Sequence, residues 1–599
     1  MADRPEAFRG FFRPGMLRFR ERVLRALHVL HLSEAQVLLI LAVVVGIGAG
    51  LGAYLFRLLL WWSQWVFLGT DASLVPLRGA YRVLIAPTLG GMIVGPLIYF
   101  FAREAKGHGV PEVMLAVAEQ EGKIRPRVAL VKILASSLSI GSGGSVGREG
   151  PIVQIGSALG SSIGQLLNVP SHLIQTLVAC GAAGGISATF NAPIAGTIFA
   201  LEVILRDFSA RAFSLVVLSS VAAAAISRAL LGNFPAFQVP KYALESAWEL
   251  GLYVLLGIVA AVVGKLFVIV LYKSEDIFDS SRLPEYVKPV VGGLCIGGLG
   301  FFFPHVMGVG YETIEAALVG KLGVTLVLIL LILKILATSI TIGSGGSGGI
   351  FAPSLFMGAM LGQAYGSLAN LLLPAVTAPP GAYALVGMGA VFAGAAQAPI
   401  TSILILFEMT GDYRIILPLM IASVISSQVA YWINRETIYT LKLIRRGIDL
   451  SRPRPTDVLD TVRVADAMSR TVRTIPADSS LHEVDNTFRQ FHYSSFPVVD
   501  EDERLVGVIG YAELHDALTA GTPLDGMQAR HVMRSPAPVV FPQERLSQVL
   551  AKFKEHRMGR IPVVEQPEST TLIGIISHSD VLNYYYDFFH MDVSERHGR

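Results

Sequence analysis

Glycine and proline crowd around a few distinctive side chains at three places: Gly107-His108-Gly109-Val110-Pro111, Gly147-Arg148-Glu149-Gly150-Pro151 and Gly349-Ile350-Phe351-Ala352-Pro353. Proline suits the first turn of a helix, so each motif reads as a helix starting next to glycine. The first N–H groups of a helix lack intrahelical partners, and the helix dipole makes that end positive. Such a terminus attracts an anion, and glycine lets the backbone approach it closely. The chemistry on offer is therefore anion binding by main chain, with no bonds made or broken. No nucleophile–base pair, HExxH or P-loop lies in the apolar region, and the stretch 141–147 lacks the Lys-Ser/Thr that a phosphate loop needs. Glu149 adds a carboxylate at an anion-attracting terminus. Its charged form competes with an anion for the same field, so protonation or displacement would open the site. The plainer alternatives are a first-turn carboxylate that only caps its helix, and glycines that only let helices pack closely.

The segments that must position these motifs are apolar. Of the 599 residues, 52% are hydrophobic and 16% charged, but the charges are uneven: 13% of residues 1–454 against 24% of residues 455–599. Ile335 to Phe407 carries no Asp, Glu, Lys, Arg or His, and Ala35 to Phe56 is uncharged over the ~20 residues a spanning helix needs. Further apolar runs lie at 82–101, 212–227, 252–264, 289–311, 322–333 and 415–433. This is a polytopic helical membrane protein whose long runs are broken by glycine and proline. Irregular backbone at membrane depth is tolerated only inside protein or beside a polar cavity. Only Cys180 and Cys295 are present, so neither a disulfide framework nor a cysteine metal site is expected. Arg4, Arg9, Arg13, Arg18, Arg20, Arg22 and Arg25 make residues 1–33 basic, without a signal-peptide pattern. Lys442, Arg445 and Arg446 follow the last apolar run. The positive-inside rule then places both termini in the cytoplasm, with an even number of crossings.

The chain also repeats itself. At an offset of 202, Lys132 matches Lys334, Gly141–Ser145 matches Gly343–Ser347, and Pro151 matches Pro353; at 206, Ala192-Pro193-Ile194 matches Ala398-Pro399-Ile400 and Glu202 matches Glu408. Repeated halves with interrupted apolar segments point to a transporter-type fold with its site near the midplane.

These motifs, with Asn-Ala-Pro-Ile-Ala-Gly at 191–196 and Tyr439, resemble the CLC family of chloride channels and chloride/proton exchangers over nearly the whole chain. The resemblance implies an inverted-repeat, CLC-type membrane domain over residues 34–440, assembled as a homodimer with one anion pore per subunit. It implies gating by Glu149, and chloride ligands among His108, Gly109, Arg148, Gly150, Ile350, Phe351, Ala352 and the Tyr439 hydroxyl. Tyr439 could equally be an interfacial anchor. Two positions depart from the family pattern. His108 stands where the family usually has serine; a neutral imidazole donates one hydrogen bond and a protonated one attracts an anion, which would make anion affinity pH-dependent. Alternatively, it is a water-facing turn residue of the vestibule. Val203 stands where exchangers usually carry an inner glutamate that loads protons. Valine cannot titrate, and the neighbouring Glu202 lies ~100° around a helix. A passive chloride channel is therefore expected, with a chloride/proton antiporter as the alternative. A CBS-regulated divalent-cation channel is a third reading, needing clustered intramembrane carboxylates where only Glu149, Glu202 and Glu408 are on offer.

After a linker at 441–462, residues 463–520 and 529–587 share a short helix, a Phe/Ile-Pro-Val-Val strand and a Leu-x-Gly-x-Ile strand. They resemble a tandem pair of α/β CBS domains, which implies regulation by an adenine nucleotide (ATP, ADP or AMP). Ser577 and Asp580 fit the ribose-binding Ser/Thr-x-x-Asp stretch, whereas Gly510 and Glu513 depart from it; Asp580 could also simply cap its helix. No nucleic-acid partner and no obligatory cofactor are expected.

Overall fold

The computed structural model describes residues 33–69, 80–233, 246–449, 462–519, 526–566 and 569–584, with single positions 237, 240, 242 and 459. The basic segment before Ser33 and the Pro/Arg linker 451–455 lie outside the described residues. The chain divides into two compact units, Met1–Asp449 and Leu450–Arg599.

The first unit is helical. Its first set of elements is α1 (Glu34–Leu68), α2 (Ala80–Phe101), α3 (Val110–Glu119), α4 (Arg127–Gly141), α5 (Glu149–Leu166), α6 (Ser171–Phe190), α7 (Pro193–Phe199, continuing as a π-helix over Ala200–Leu205) and α8 (Ala210–Leu231). The second set follows in the same order: α9 (Glu249–Ser280), α10 (Lys288–Phe302), α11 (Tyr311–Leu318), α12 (Val324–Gly343), α13 (Phe351–Leu372), α14 (Pro380–Ala396), α15 (Pro399–Thr410) and α16 (Ile416–Ile433). A short α17 (Thr440–Ile444) closes the unit. Seven of the described helices are long and apolar enough to cross a membrane. Lipid supplies no hydrogen bonds, so helices satisfy their own backbone there. Their outer faces carry exposed Leu, Ile, Val, Phe and Trp, as on α1 and α9, while α13 and α14 are buried along most of their length.

The two sets are bound to each other by contacts that repeat in pairs. Gly91 on α2 lies against the carbonyl of Pro289, and Gly293 on α10 against that of Pro87; a Cβ at either glycine would sit 2.2 Å from the oxygen. Any side chain there would push α2 and α10 apart. Glu202, in the π-helical segment, accepts hydrogen bonds from the backbone of Ile400 (3.3 Å) and Thr401 (2.8 Å) at the start of α15. Glu408, near the end of α15, accepts from Ile194 (3.0 Å) and Ala195 (2.7 Å) at the start of α7. Each carboxylate thus sits on the positive end of the helix from the other half. Glu202 is thereby engaged with α15, next to the buried Val203.

The second unit is α/β, built twice. In the first copy β1 (Ile475–Pro476) pairs in parallel with β2 (Ser495–Val499), which pairs antiparallel with β3 (Leu505–Gly510). In the second, β4 (Arg560–Val564) pairs antiparallel with β5 (Leu572–Ser577). Val540 bridges in parallel to Val563, as Ile475 does to Val498. Amphipathic helices Leu481–Phe491 and Leu546–His556 bury Leu481, Val484 and Phe488 in one copy and Leu546, Val549 and Phe553 in the other. Phe488 meets Phe496 edge-on, with centroids 4.8 Å apart.

Candidate functional site

The three glycine motifs converge on one place in the first unit. Gly147 and Gly349 exchange two backbone hydrogen bonds (2.7 and 2.6 Å), while Gly107 donates to Gly346 (3.0 Å) and accepts from Gly348 (3.3 Å). The approach demands glycine: a Cβ on Gly150 would lie 2.2 Å from the carbonyl oxygen of His108. Gly107 and Gly109 have φ of 75° and 82°, a region that disfavours side chains. These bonds bring the starts of α3, α5 and α13 together.

Two buried lysines hold the turns. The Lys132 amine on α4 donates to the carbonyls of Ala105 (3.0 Å) and Gly107 (2.8 Å). Lys334 on α12 does the same for Val306 and Gly308 (both 3.0 Å). The matched lysines therefore mark a further pair of repeats, Gly107-His108-Gly109 and Gly308-Val309-Gly310. Only two glycines are common to these segments, too little to stand out in an apolar sequence. Ser347 and Ser145 repeat the arrangement, donating to the carbonyls of Ala105 (2.9 Å) and Val306 (2.6 Å).

A small cavity, about the size of one water molecule, opens at the convergence. It is lined by His108, Glu149, Gly150, Ile350, Phe351 and Tyr439, all expected from the sequence, and by the apolar Val110, Val153, Ile186 and Phe199. Val153 stands one turn after Glu149 on α5, where a 3.6-residue period would have found it; Ile186 comes from α6, and Phe199 ends α7, the helix that the 191–196 motif opens. Glu149 is buried. One carboxylate oxygen accepts from the Tyr311 hydroxyl at 2.8 Å; the other faces the backbone N–H of Ala352 at 3.4 Å, on the first turn of α13. Glu149 is thus more than a first-turn cap on its own helix, because it reaches the terminus of another. Tyr311 was not expected from the sequence. It opens α11, whose relation to α3 is apparent only in the fold.

His108 is fully buried, with its ring 6.0 Å from that of Tyr439, and neither ring nitrogen has a protein partner. This overturns the water-facing alternative: the bonds of Gly107 to Gly346 and Gly348 turn the motif inward. Tyr439 is buried as well, so it is not an interfacial anchor. Gly109 is outside the cavity lining and packs instead against Gln154 and the carbonyl of Gly150. Arg148 also departs from expectation. Its guanidinium lies 5.1 Å over the Tyr311 ring, outside the cavity lining. Val203 is not among the lining residues; Phe199, one turn earlier, is. In the second unit, an Asp580 carboxylate oxygen accepts from the Ser577 N–H (2.8 Å) and hydroxyl (2.6 Å). Glu513 accepts from the Gly510 N–H (3.1 Å) in the same way. The contact these side chains make is a helix cap.

The family profile described as "Voltage gated chloride channel" matches residues 90–431, and that of the CBS domain matches 464–520 and 529–587. The H(+)/Cl(-) exchange transporter ClcA of Vibrio vulnificus is 35% identical over 445 residues, which cover 72% of this chain and 93% of that protein. Chloride channel protein CLC-f of Arabidopsis thaliana is 30% identical over 566 residues, covering 82% of this chain and 70% of the plant protein. The crystal structure of a slow cyanobacterial Cl-/H+ antiporter superposes with a TM-score of 0.63 at 28% identity, over 70% of this chain and 100% of that one. With paired glycine motifs converging on a buried carboxylate, and two CBS domains after them, the chain belongs to the CLC family of membrane anion transporters.

Proposed function

We propose that the chain exchanges chloride for protons across a lipid bilayer, with Glu149 as the group that closes the anion site and carries the proton. The observation that carries this reading is the buried carboxylate held between the Tyr311 hydroxyl and the N-terminus of α13, beside a cavity lined by His108 and Tyr439. An anion and the ionised carboxylate compete for the same donors, and a protonated carboxyl withdraws with its proton. The exchanger and antiporter names of the Vibrio relative and the cyanobacterial structure favour coupled exchange over the passive channel expected from Val203. The buried Val203 remains the specific observation for a channel. The divalent-cation reading loses its ligands, since Glu202 and Glu408 are engaged with helix termini.

Reversal potentials of the reconstituted protein, measured across a pH gradient, separate the two readings. A potential displaced from the chloride equilibrium value, with chloride driving protons uphill into liposomes, is the expected result. A potential that tracks chloride alone would return the chain to the channel class.

His108 is assigned as a ligand of the anion: its ring lies in the cavity wall and its nitrogens lack protein partners. Ile350 and Phe351 with the backbone of Ala352, and the Tyr439 hydroxyl, complete the proposed surroundings. The working form is taken as a homodimer with both termini cytoplasmic, on the strength of family membership and the basic flanking segments.

The second unit is proposed to bind ATP, ADP or AMP through Ser577 and Asp580 and so regulate transport. A ligand shifts such a balance only by preferring one state. Asp580→Ala in the full-length protein is expected to weaken adenine-nucleotide binding at least ~10-fold, about 1.4 kcal/mol, read by calorimetry. If the unaltered protein binds none of the three at millimolar concentration, the tail is a structural brace.

A further inference from the structure

Glu149 is held by a hydroxyl that no expectation assigned, and this asymmetry between the two halves carries a consequence for gating. We propose that Tyr311 is the latch of the gate: its phenol sets how firmly the Glu149 carboxylate closes the anion site. The proposal rests on the gating role of Glu149 and goes beyond it by naming what opposes the opening.

Three observations support it. The hydroxyl of Tyr311 donates to Glu149 at 2.8 Å, shorter than the 3.4 Å contact from the Ala352 amide, so the phenol is the closer of the two donors. Hydrogen bonds to an ionised carboxylate are about twice as strong as neutral ones, so this bond favours the charged, closed form. The ring is also pinned. The Arg148 guanidinium covers one face at 5.1 Å from the centroid, and Phe237 meets it edge-on at 5.2 Å. Finally, the corresponding place in the first half, after Gly109, is Val110, which has no hydroxyl, so only one of the two repeated turns supplies a donor.

Other charged or titratable groups face the same carboxylate: Arg148 from its own helix, Lys334 from α12, and Tyr439 from just before α17. His108 lines the same cavity, and Arg57 on α1 faces Arg148 and Tyr311. None of these is removed by Tyr311→Phe, which keeps the ring for Arg148 and Phe237 and deletes only the donor.

The test is chloride flux in liposomes as a function of pH for four proteins: unaltered, Tyr311→Phe, Glu149→Gln and the double variant. With the latch gone, the carboxylate protonates and withdraws more readily. The pH of half-maximal flux should then rise by about one unit, a tenfold change in the closing equilibrium. In the Glu149→Gln background the Phe substitution should change nothing, because no carboxylate remains to be held. An unshifted profile in Tyr311→Phe, beside a pH-insensitive Glu149→Gln, overturns the latch and leaves the gate standing. Equal effects of Tyr311→Phe in both backgrounds would make Tyr311 a packing residue and also overturn it. A Glu149→Gln protein that keeps the full pH dependence overturns the gate itself.

Discussion

Glu149→Gln in reconstituted protein is expected to leave chloride flux but to flatten its pH dependence and abolish chloride-driven proton movement. The amide matches the carboxyl in size, so the helix termini stay in place. What it loses is the charge that competes with an anion at the positive end of α13. At alkaline pH, where the ionised carboxylate closes the site in the unaltered protein, the variant should conduct at least ~10-fold faster, or about 1.4 kcal/mol of closing free energy removed. The proton effect should be total, because an amide has no proton to deliver. Retained coupling would move the proton-carrying role to another residue.

The second large effect is expected at Lys132. Lys132→Met keeps the length of the side chain and removes a donor shared by two buried carbonyls, those of Ala105 and Gly107. Each carbonyl keeps a second donor, the Ser347 hydroxyl for Ala105 and the Gly348 N–H for Gly107. The loss is therefore two hydrogen bonds at about 0.5–1.5 kcal/mol each, about 1–3 kcal/mol together, against a typical folding margin of about 5–15 kcal/mol. The turn so released carries His108 and bonds to Gly346 and Gly348, so anion flux should vanish along with the lost stability. Thermal unfolding in detergent and liposome flux read the two losses. Lys334→Met should act alike on the turn before Tyr311. A variant at either position with unaltered melting and flux would show that the lysines do not hold these turns.

What could be read from the sequence were features with a strong local signature. Charge-free runs betray helices in lipid, because a charge at membrane depth is costly. Glycine-proline motifs betray helix starts, and a lysine matched 202 residues away in an apolar setting is too costly to be incidental. Glu149 and His108 stood out on that basis, Tyr439 came only with the family resemblance, and the three line one cavity. Features made by folding were not legible. Tyr311 opens an inconspicuous eight-residue helix, and its link to Glu149 spans 162 residues of sequence. The turn at 308–310 shares only glycines with its counterpart. The π-helix at 200–205 follows an ordinary α-helical pattern, and only the bonds from Glu202 to α15 show which way that side chain turns. The family resemblance offered Arg148 among the anion ligands, and its guanidinium lies over an aromatic face.

The paired contacts between the halves have a mechanical consequence. Gly91 and Gly293 seat two helices backbone to backbone, Glu202 and Glu408 each tie into the opposite half, and Gly147 and Gly349 form a rung near the cavity. Contacts at three levels resist rocking of one half against the other. A small moving part suits such a frame, and Glu149, a single side chain held by two donors, lies beside the cavity. Side-chain rotations belong to a faster class of motion than domain rearrangements, which take microseconds to milliseconds. The pace of such a machine is governed by the strength of a few bonds to one carboxyl group, so a single hydroxyl can retime it without touching its architecture.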